Sequence, residues 1–258
     1  MRIDRPDGGD DRPDTTDAPR VHGADAAGDA KPGRDVADND AVAGSETETA
    51  VRVARALEYR ATVEAVGRAY AIDKGCARVR EIEEKTVTPA MRRIEAEDPD
   101  RVLVGLENRL KGRERIEQKV THDEQKKGLS AGQVFADMKD AIRYTFQYPQ
   151  DKYTAGVHAD VQRLKNEGAE YADSRNTWTS EQYKGINSWW RDGDSGQLFE
   201  VQFHTQASFD AKQETHGAYE RLRKLPDDSG EVRELRAYQR DVNAKIPVPP
   251  GAPDIVII

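Results

Sequence analysis

Leu198-Phe-Glu-Val-Gln-Phe-His-Thr205 alternates without a break. Phe199, Val201 and Phe203 point one way, and Glu200, Gln202 and His204 point the other, which is the period of a half-buried strand. A solvated side would carry Lys, Thr or Ser. This one carries a carboxylate, an amide and an imidazole, groups that bind a metal, a phosphate or a reacting proton. A second histidine, His216, follows. The strand therefore places the candidate active site on one face of a sheet.

Upstream of this strand, Gly185–Trp190 and Glu170–Trp178 read as two more strands. Asp192-Gly-Asp-Ser-Gly196 is the turn that joins Gly185–Trp190 to Leu198–His204 as a hairpin. Ala141–Phe146 is a further strand, and Arg101–Leu110 another, centred on Val102-Leu-Val104. Tyr153, Val157, Val161 and Leu164 mark a helix that ends before Gly168. Helices are predicted near Cys76–Glu84, after Pro89, over 112–120, 206–224 and 230–243, with a polar loop at 121–130. Near Thr49 the apolar spacing becomes helical (Val51, Ala54, Leu57, Ala61). Ser45-Glu-Thr-Glu48 has the form of a capping box, which makes Ser45 a candidate N-cap, with Thr47 and Thr49 as alternatives. The pattern predicts an α/β (α+β) domain: a mixed sheet of about five strands flanked by helices.

The net charge of -8 over 258 residues is uneven. Residues 1–48 hold 13 acidic and 6 basic side chains, whereas the remaining 210 residues are nearly balanced. Those first 48 residues have no aromatic side chain and no Leu, so they cannot bury enough apolar surface to offset their ordering entropy. The expected division is a disordered acidic tail or linker over 1–48, a domain over 49–245 and an extended Pro-rich end over 246–258. No apolar run is long enough for a membrane span or a secretory signal. The single cysteine, Cys76, excludes an internal disulfide. A cytoplasmic protein is the simple expectation. The linker-like tail also fits a module of a longer, delivered chain.

Arg109–Lys119 carries five cations in eleven positions, at a strand-to-helix junction. Helix N-terminal amides favour phosphate there, and Arg stacks on bases. On spacing alone a solvated basic face accounts for the same residues. Asp140 and Arg143 open the next strand, and their odd offset puts them on opposite sides of a regular one. Asp140 and Glu200, on two strands, would together hold Mg²⁺, an ion commonly bound by one or two carboxylates plus substrate phosphates. With the basic segment they point to phosphoryl or pyrophosphoryl transfer. The dyad His122-Asp123 lacks the further ligands of a metal hydrolase site.

Four motifs in order make the chain resemble the RelA/SpoT-type (p)ppGpp synthetase domain over about residues 50–225. Arg109–Lys119 resembles the family's R-x-K-x-x-x-S-I-x-x-K, with Arg115 in place of Ser. Asp140-Ala-Ile-Arg-Tyr144 resembles its aspartate strand. Tyr183-Lys-Gly-Ile-Asn-Ser188 resembles its Gly-Tyr loop. Glu200-Val-Gln-Phe-His-Thr205 resembles E-I-Q-I-R-T, with His216 at the family's later histidine position. The resemblance implies a nucleotide 3'-pyrophosphokinase, in which ATP gives its β,γ-pyrophosphate to a ribose 3'-hydroxyl. It implies that Arg109 flanks the donor adenine, and that Lys111, Arg115, Lys119, Arg143 and Lys184 contact the nucleotides. Asp140 would hold Mg²⁺. Glu200 would assist deprotonation of the hydroxyl or share the metal. Gln202, His204 and His216 would face phosphate or acceptor groups.

Ile186 stands where the family has the base-stacking Tyr, Trp190 where it has His, and His204 where it has Arg. Trp189 or Trp190 would replace the stacking surface, or serve as a buried strand residue. The acceptor is therefore open among guanine nucleotides, adenine nucleotides and the tRNA 3' end. A non-catalytic nucleotide-binding module of the same fold is the further alternative. A synthetase without a hydrolase in its own chain suits a toxin or a small alarmone synthetase, and the former implies an antitoxin or immunity partner.

Overall fold

The computed structural model describes residues 38–226 and 228–258, with side chains from residue 45. Backbone contacts divide the chain into two units, 1–56 and 57–258. In the first unit the described residues are helical from Asp38, and residues 45–56 are exposed. Ser45 lies inside this helix, its carbonyl accepting from Thr49 Oγ1 at 2.7 Å, so it is not the N-cap that the S-x-x-E spelling predicts. The tail expected over 1–48 lies, for residues 1–37, outside the described residues.

The second unit continues that helix, α1 (Asp38–Ile82), which buries Ile72 and Val79. Its last turns were expected as a separate helix near Cys76. The run is unbroken because it holds no proline, and isolated glycines do not stop a helix. Gly75 also serves packing, since a Cβ there would overlap the Phe135 ring. A π-helical turn, Glu83–Val87, leads into α2 (Thr88–Ala96), which has Pro89 in its first turn. Proline lacks the N–H and crowds the carbonyl four residues back, which accounts for the widened turn just before it.

Strand β1 (Val102–Val104) is shorter than the 101–110 expected. Gly105, at φ +66°, turns the chain out of the strand and into a 3-10 turn over Leu106–Asn108. Helix α3 (Arg113–Lys127) extends through the region expected as a loop and stops where Gly128 adopts φ +67°. The sequence reading assigned no helix to α4 (Ala131–Asp137). Its signal was present in the chain: Ser130 and Gln133 form a reciprocal capping box.

The rest follows the sequence closely: β2 (Arg143–Tyr148), α5 (Tyr153–Asn166), β3 (Ala169–Asn176), β4 (Ile186–Asp192), β5 (Leu198–Thr205), α6 (Gln206–Leu222) and α7 (Gly230–Asn243). The C-terminal end is irregular apart from a 3-10 turn at Ala252–Asp254. Among the described residues no helix is long and apolar enough to cross a membrane.

The five strands form one mixed sheet in the order β1-β2-β5-β4-β3. Only β2 and β5 run parallel, and the other neighbours are antiparallel. One side is apolar: Tyr144, Phe146, Val201 and Phe203 are buried on it. Helix α5 covers that side through Tyr153, whose ring lies 5.7 Å from that of Tyr148 and whose hydroxyl donates to the Phe203 carbonyl at 3.0 Å. Each such fully buried side chain contributes about 1.5–3 kcal/mol. Helix α6 lies over the polar side. Helices on both sides of a mixed sheet are what the sequence predicts. The difference lies in β5, which is buried along its whole length instead of half-buried, because it is a central strand with α6 above its polar row.

Candidate active site

The parallel pairing of β2 with β5 sets Arg143 beside Glu200, Thr145 beside Gln202 and Gln147 beside His204. Antiparallel β4 adds Trp189 beside Glu200 and Asn187 beside Gln202. Three strands thus present their polar positions on one side, as period-two alternation requires.

The chemistry centres on two carboxylates joined by one guanidinium. Arg143 Nε donates to Glu200 Oε2 at 2.6 Å, and Arg143 Nη2 approaches Asp140 Oδ2 at 3.5 Å. Odd spacing was expected to separate Asp140 from Arg143. It does not, because Asp140 sits in the turn before β2, where strand alternation does not apply. Lys111 Nζ also bonds Asp140 Oδ2. The loop carrying Lys111 is laid along the start of β2 by two backbone bonds: Lys111 N–H to the Ala141 carbonyl at 3.0 Å, and Arg143 N–H to the Arg109 carbonyl at 2.8 Å. Burial opposes ionisation of Asp140, but the Lys111 ammonium, with Arg143 and Lys119 nearby, holds its carboxyl below the usual range. Asp140 is therefore an anion at neutral pH. Arg143 loses hydration by burial, and Glu200 and Asp140 more than compensate, so its guanidinium stays charged.

Gln202 continues the network. Its Nε2 donates to Glu200 Oε1 at 2.8 Å, and its Oε1 accepts from Lys212 Nζ at 2.5 Å and from Thr145 Oγ1 at 3.3 Å. Lys212 did not emerge from the sequence. It lies on α6 among polar residues, and only the packing of α6 over β5 aims it at the sheet. Burial first, then the Arg143 charge, pushes its ammonium down to about 8.

The remaining basic candidates divide. Arg109 is half-buried; its Nε donates to Glu83 Oε1 at 2.7 Å and its Nη1 to the Leu106 carbonyl at 3.1 Å. Glu83 comes from the π-helical turn and also receives bonds from Thr88 and from Tyr144, the latter at 3.0 Å. Arg115, on α3, pairs with Glu220 of α6 at 2.8 Å and is exposed. Lys119 is part-exposed one turn further along α3, 3.9 Å from Asp123. The α3 N-terminus, at Gly112, has no side-chain cap, so its first-turn amides are left open.

His204, Lys184 and His216 are not part of the carboxylate cluster. His204 is fully buried and its two ring nitrogens are engaged, Nδ1 with Ser208 Oγ at 2.9 Å and Nε2 with Tyr183 Oη at 2.8 Å. Tyr183 Oη also donates to Asn187 Oδ1 at 2.9 Å. Burial, then the Lys212 charge, pushes the imidazole well below its usual value. His204 is thus a neutral brace under the loop at Gly185, where any Cβ would lie 2.7 Å from its Cε1. Both nitrogens that a nucleotide contact would use are engaged within the protein. Lys184 Nζ donates to the Trp178 carbonyl at 2.9 Å. His216 is exposed on α6, one turn after Lys212.

Ile186 and Trp190 are buried on the apolar side, with Trp190 Nε1 bonded to Ser188 Oγ at 2.8 Å, so neither offers a face to a base. Trp189 points to the polar side, part-exposed, with Lys139 Nζ 4.8 Å from its ring centre. Among the described residues no three His, Cys, Asp or Glu side chains gather as a metal cluster.

No family model matches the chain, and no curated relative matches it. Solved structures do. A GTP pyrophosphokinase family protein from Streptococcus pneumoniae is 16% identical, covering 67% of this chain and 86% of that one, with a TM-score of 0.48. Small alarmone synthetase 2 from Bacillus subtilis is 12% identical over 67% of this chain and 90% of its own, with a TM-score of 0.47. Small alarmone synthetase 1 from Bacillus subtilis, solved with its product pppGpp, is 14% identical over 64% and 84%, with a TM-score of 0.43.

Proposed function

We propose that the chain transfers pyrophosphate from ATP to the 3'-hydroxyl of a nucleotide. The observation that carries this reading is the cluster at the start of β2. Asp140 and Glu200 meet one guanidinium, Arg143, while Lys111 bonds Asp140 and Lys212 bonds the neighbouring Gln202. A site for transfer of a polyphosphate group needs cations for the phosphates and an anion for the proton and the metal. All of these groups converge on one polar sheet face.

In this reaction the acceptor oxygen attacks the β-phosphorus of ATP. The bond from the α,β-bridging oxygen to the β-phosphorus breaks, AMP leaves, and the hydroxyl proton passes to Glu200. Lys111, Lys119 and Arg143 bind donor phosphates, and Arg109, held at its Nε edge by Glu83, keeps its planar faces for the adenine. Gln202 orients Glu200. The residues fit Mg²⁺ in one specific sense. Two carboxylates linked through Arg143 supply too few ligands for a protein-only site, as the absence of a third acidic or imidazole neighbour among the described residues shows. They suit a cation whose other ligands are phosphate oxygens and water. An ion bound by Asp140 and Glu200 would supply charge neutralisation and acidify the hydroxyl.

The acceptor side is less conventional. With His204 and Ile186 buried, Tyr183, Asn187 and Trp189 are the side chains left to meet an acceptor base. Incubation with ATP labelled at the γ-phosphate, Mg²⁺ and GDP, GTP, AMP, ADP, ATP or deacylated tRNA tests the proposal. Label is expected on at least one acceptor, and its identity decides between nucleotide and tRNA. Label on none of them defeats the reading.

A further inference from the structure

Lys212 is a costly residue. Its side chain is part-buried, an ammonium drawn partly out of water needs compensating partners, and its Nζ lies 5.3 Å from the Phe209 ring centre. Its hydrogen bond goes to a neutral amide, although Glu200 lies one residue pair away on the same strand face. A lysine kept only for stability would be expected to take the carboxylate directly. The arrangement makes sense when the amide is considered. Gln202 Oε1 receives two donors, Lys212 Nζ and Thr145 Oγ1, and this fixes which end of the amide faces Glu200. Reversing the amide would set its N–H groups against the ammonium and its oxygen against a carboxylate oxygen. Both contacts are repulsive.

We infer that Lys212 is a positioning residue for the carboxylate of Glu200, acting through Gln202: from α6 it locks the Gln202 amide so that Nε2 holds Glu200 Oε1, while Arg143 holds Oε2 from β2. The two oxygens are thus gripped from opposite sides, at 2.8 and 2.6 Å, and the carboxylate plane is set before any substrate arrives. The lowered ammonium pKa fits a part-buried group that gives up some solvation for this contact. The inference rests on the pyrophosphokinase reading for its catalytic meaning, while the clamp itself is a property of the fold.

Two readouts on Lys212→Met and Lys212→Arg separate those parts. The first is the side-chain amide NMR signal of Gln202, assigned by its loss in Gln202→Glu. In the wild type its proton bonded to Glu200 is expected to be shifted downfield and slow to exchange. Lys212→Met should collapse that signal toward a free amide, and Lys212→Arg should retain most of it. The second is steady-state transfer. Lys212→Met should lower kcat about 10- to 100-fold with the KM for ATP within about twofold, and Lys212→Arg should recover at least a tenth of the wild-type kcat. An unchanged Gln202 signal in Lys212→Met overturns the clamp. A rise in ATP KM with kcat preserved also overturns it, because Lys212 would then be a phosphate ligand. Wild-type protein that labels no acceptor while the Gln202 signal still responds would end the pyrophosphokinase reading and leave the clamp standing.

Discussion

Glu200 and His204 lie on the same side of the same strand, four residues apart, yet their surroundings are opposite. Glu200 is held by one cationic side chain, Arg143, and one amide, Gln202, in a network that continues outward through Arg143 to part-exposed Asp140 and Lys111. His204 is sealed: both nitrogens are engaged by neutral hydroxyls and a glycine lies against its ring. Alternation put both on the polar side, but it could not tell which polar group is open to chemistry and which is a brace. The deciding quantity is what the partners leave unsatisfied. Glu200 is held in a way that still joins an outward network of charge, and His204 has nothing left to offer.

The comparison can be broken at either residue. Glu200→Gln keeps the shape and removes the charge. It should lower kcat about 10³-fold or more, the scale of losing a catalytic base or an electrostatic stabiliser, while ATP binding measured by calorimetry stays within about threefold. Activity within about tenfold of wild type would remove Glu200 from its role. Asp140→Asn should cost about 10²-fold in kcat and flatten the dependence of rate on Mg²⁺ concentration. A variant with wild-type Mg²⁺ dependence would mean that Asp140 does not meet the metal.

His204 should answer in stability, through acid. Its folded pKa is depressed, so the unfolded chain takes up a proton near its ordinary pKa of about 6.5 while the folded chain does not. Below that pH the unfolded state binds more protons and the folded state loses stability, by up to about 1.4 kcal/mol per pH unit. Denaturant melts of wild type and His204→Asn should converge as pH falls from 7 to 5. A difference that does not change with pH would contradict a neutral buried imidazole. The smallest effect is expected at Arg109. Glu83→Gln weakens the charge that holds the guanidinium and should raise the KM for ATP about three- to tenfold, with kcat little changed. An unaltered KM would detach this pair from donor binding.

Much of this was legible in the chain, for identifiable reasons. β5, the hairpin before it, α5 and α7 each carry a clean period and clear stops, so their extents match within a residue or two. Regions governed by longer-range effects were misread. Helix α3 runs past its expected end at residue 120 because three buried positions, Ile116, Val120 and Asp123, hold it down until Gly128. β1 stops at Gly105 because the chain must turn to bring Arg109–Lys111 alongside β2. At the site, Asp140, Arg143, Glu200 and Gln202 were visible as motif positions. The partners that orient them were not. Lys212, Thr145 and Glu83 come from a helix, a neighbouring strand and a π-helical turn, and only tertiary packing brings them to their targets. The engagement of both His204 nitrogens was not legible, because sequence alternation reports a side of the strand and not its occupancy.

The central claim is the type of bond that breaks in ATP. Transfer of pyrophosphate releases AMP, whereas phosphate transfer or simple hydrolysis releases ADP. Chromatography of the nucleotides during turnover, with the labelled acceptor present, measures this directly. The account predicts one AMP for each acceptor carrying a new 3'-diphosphate, both lost together in Glu200→Gln. ADP as the product, with no label on the acceptor ribose, would contradict it.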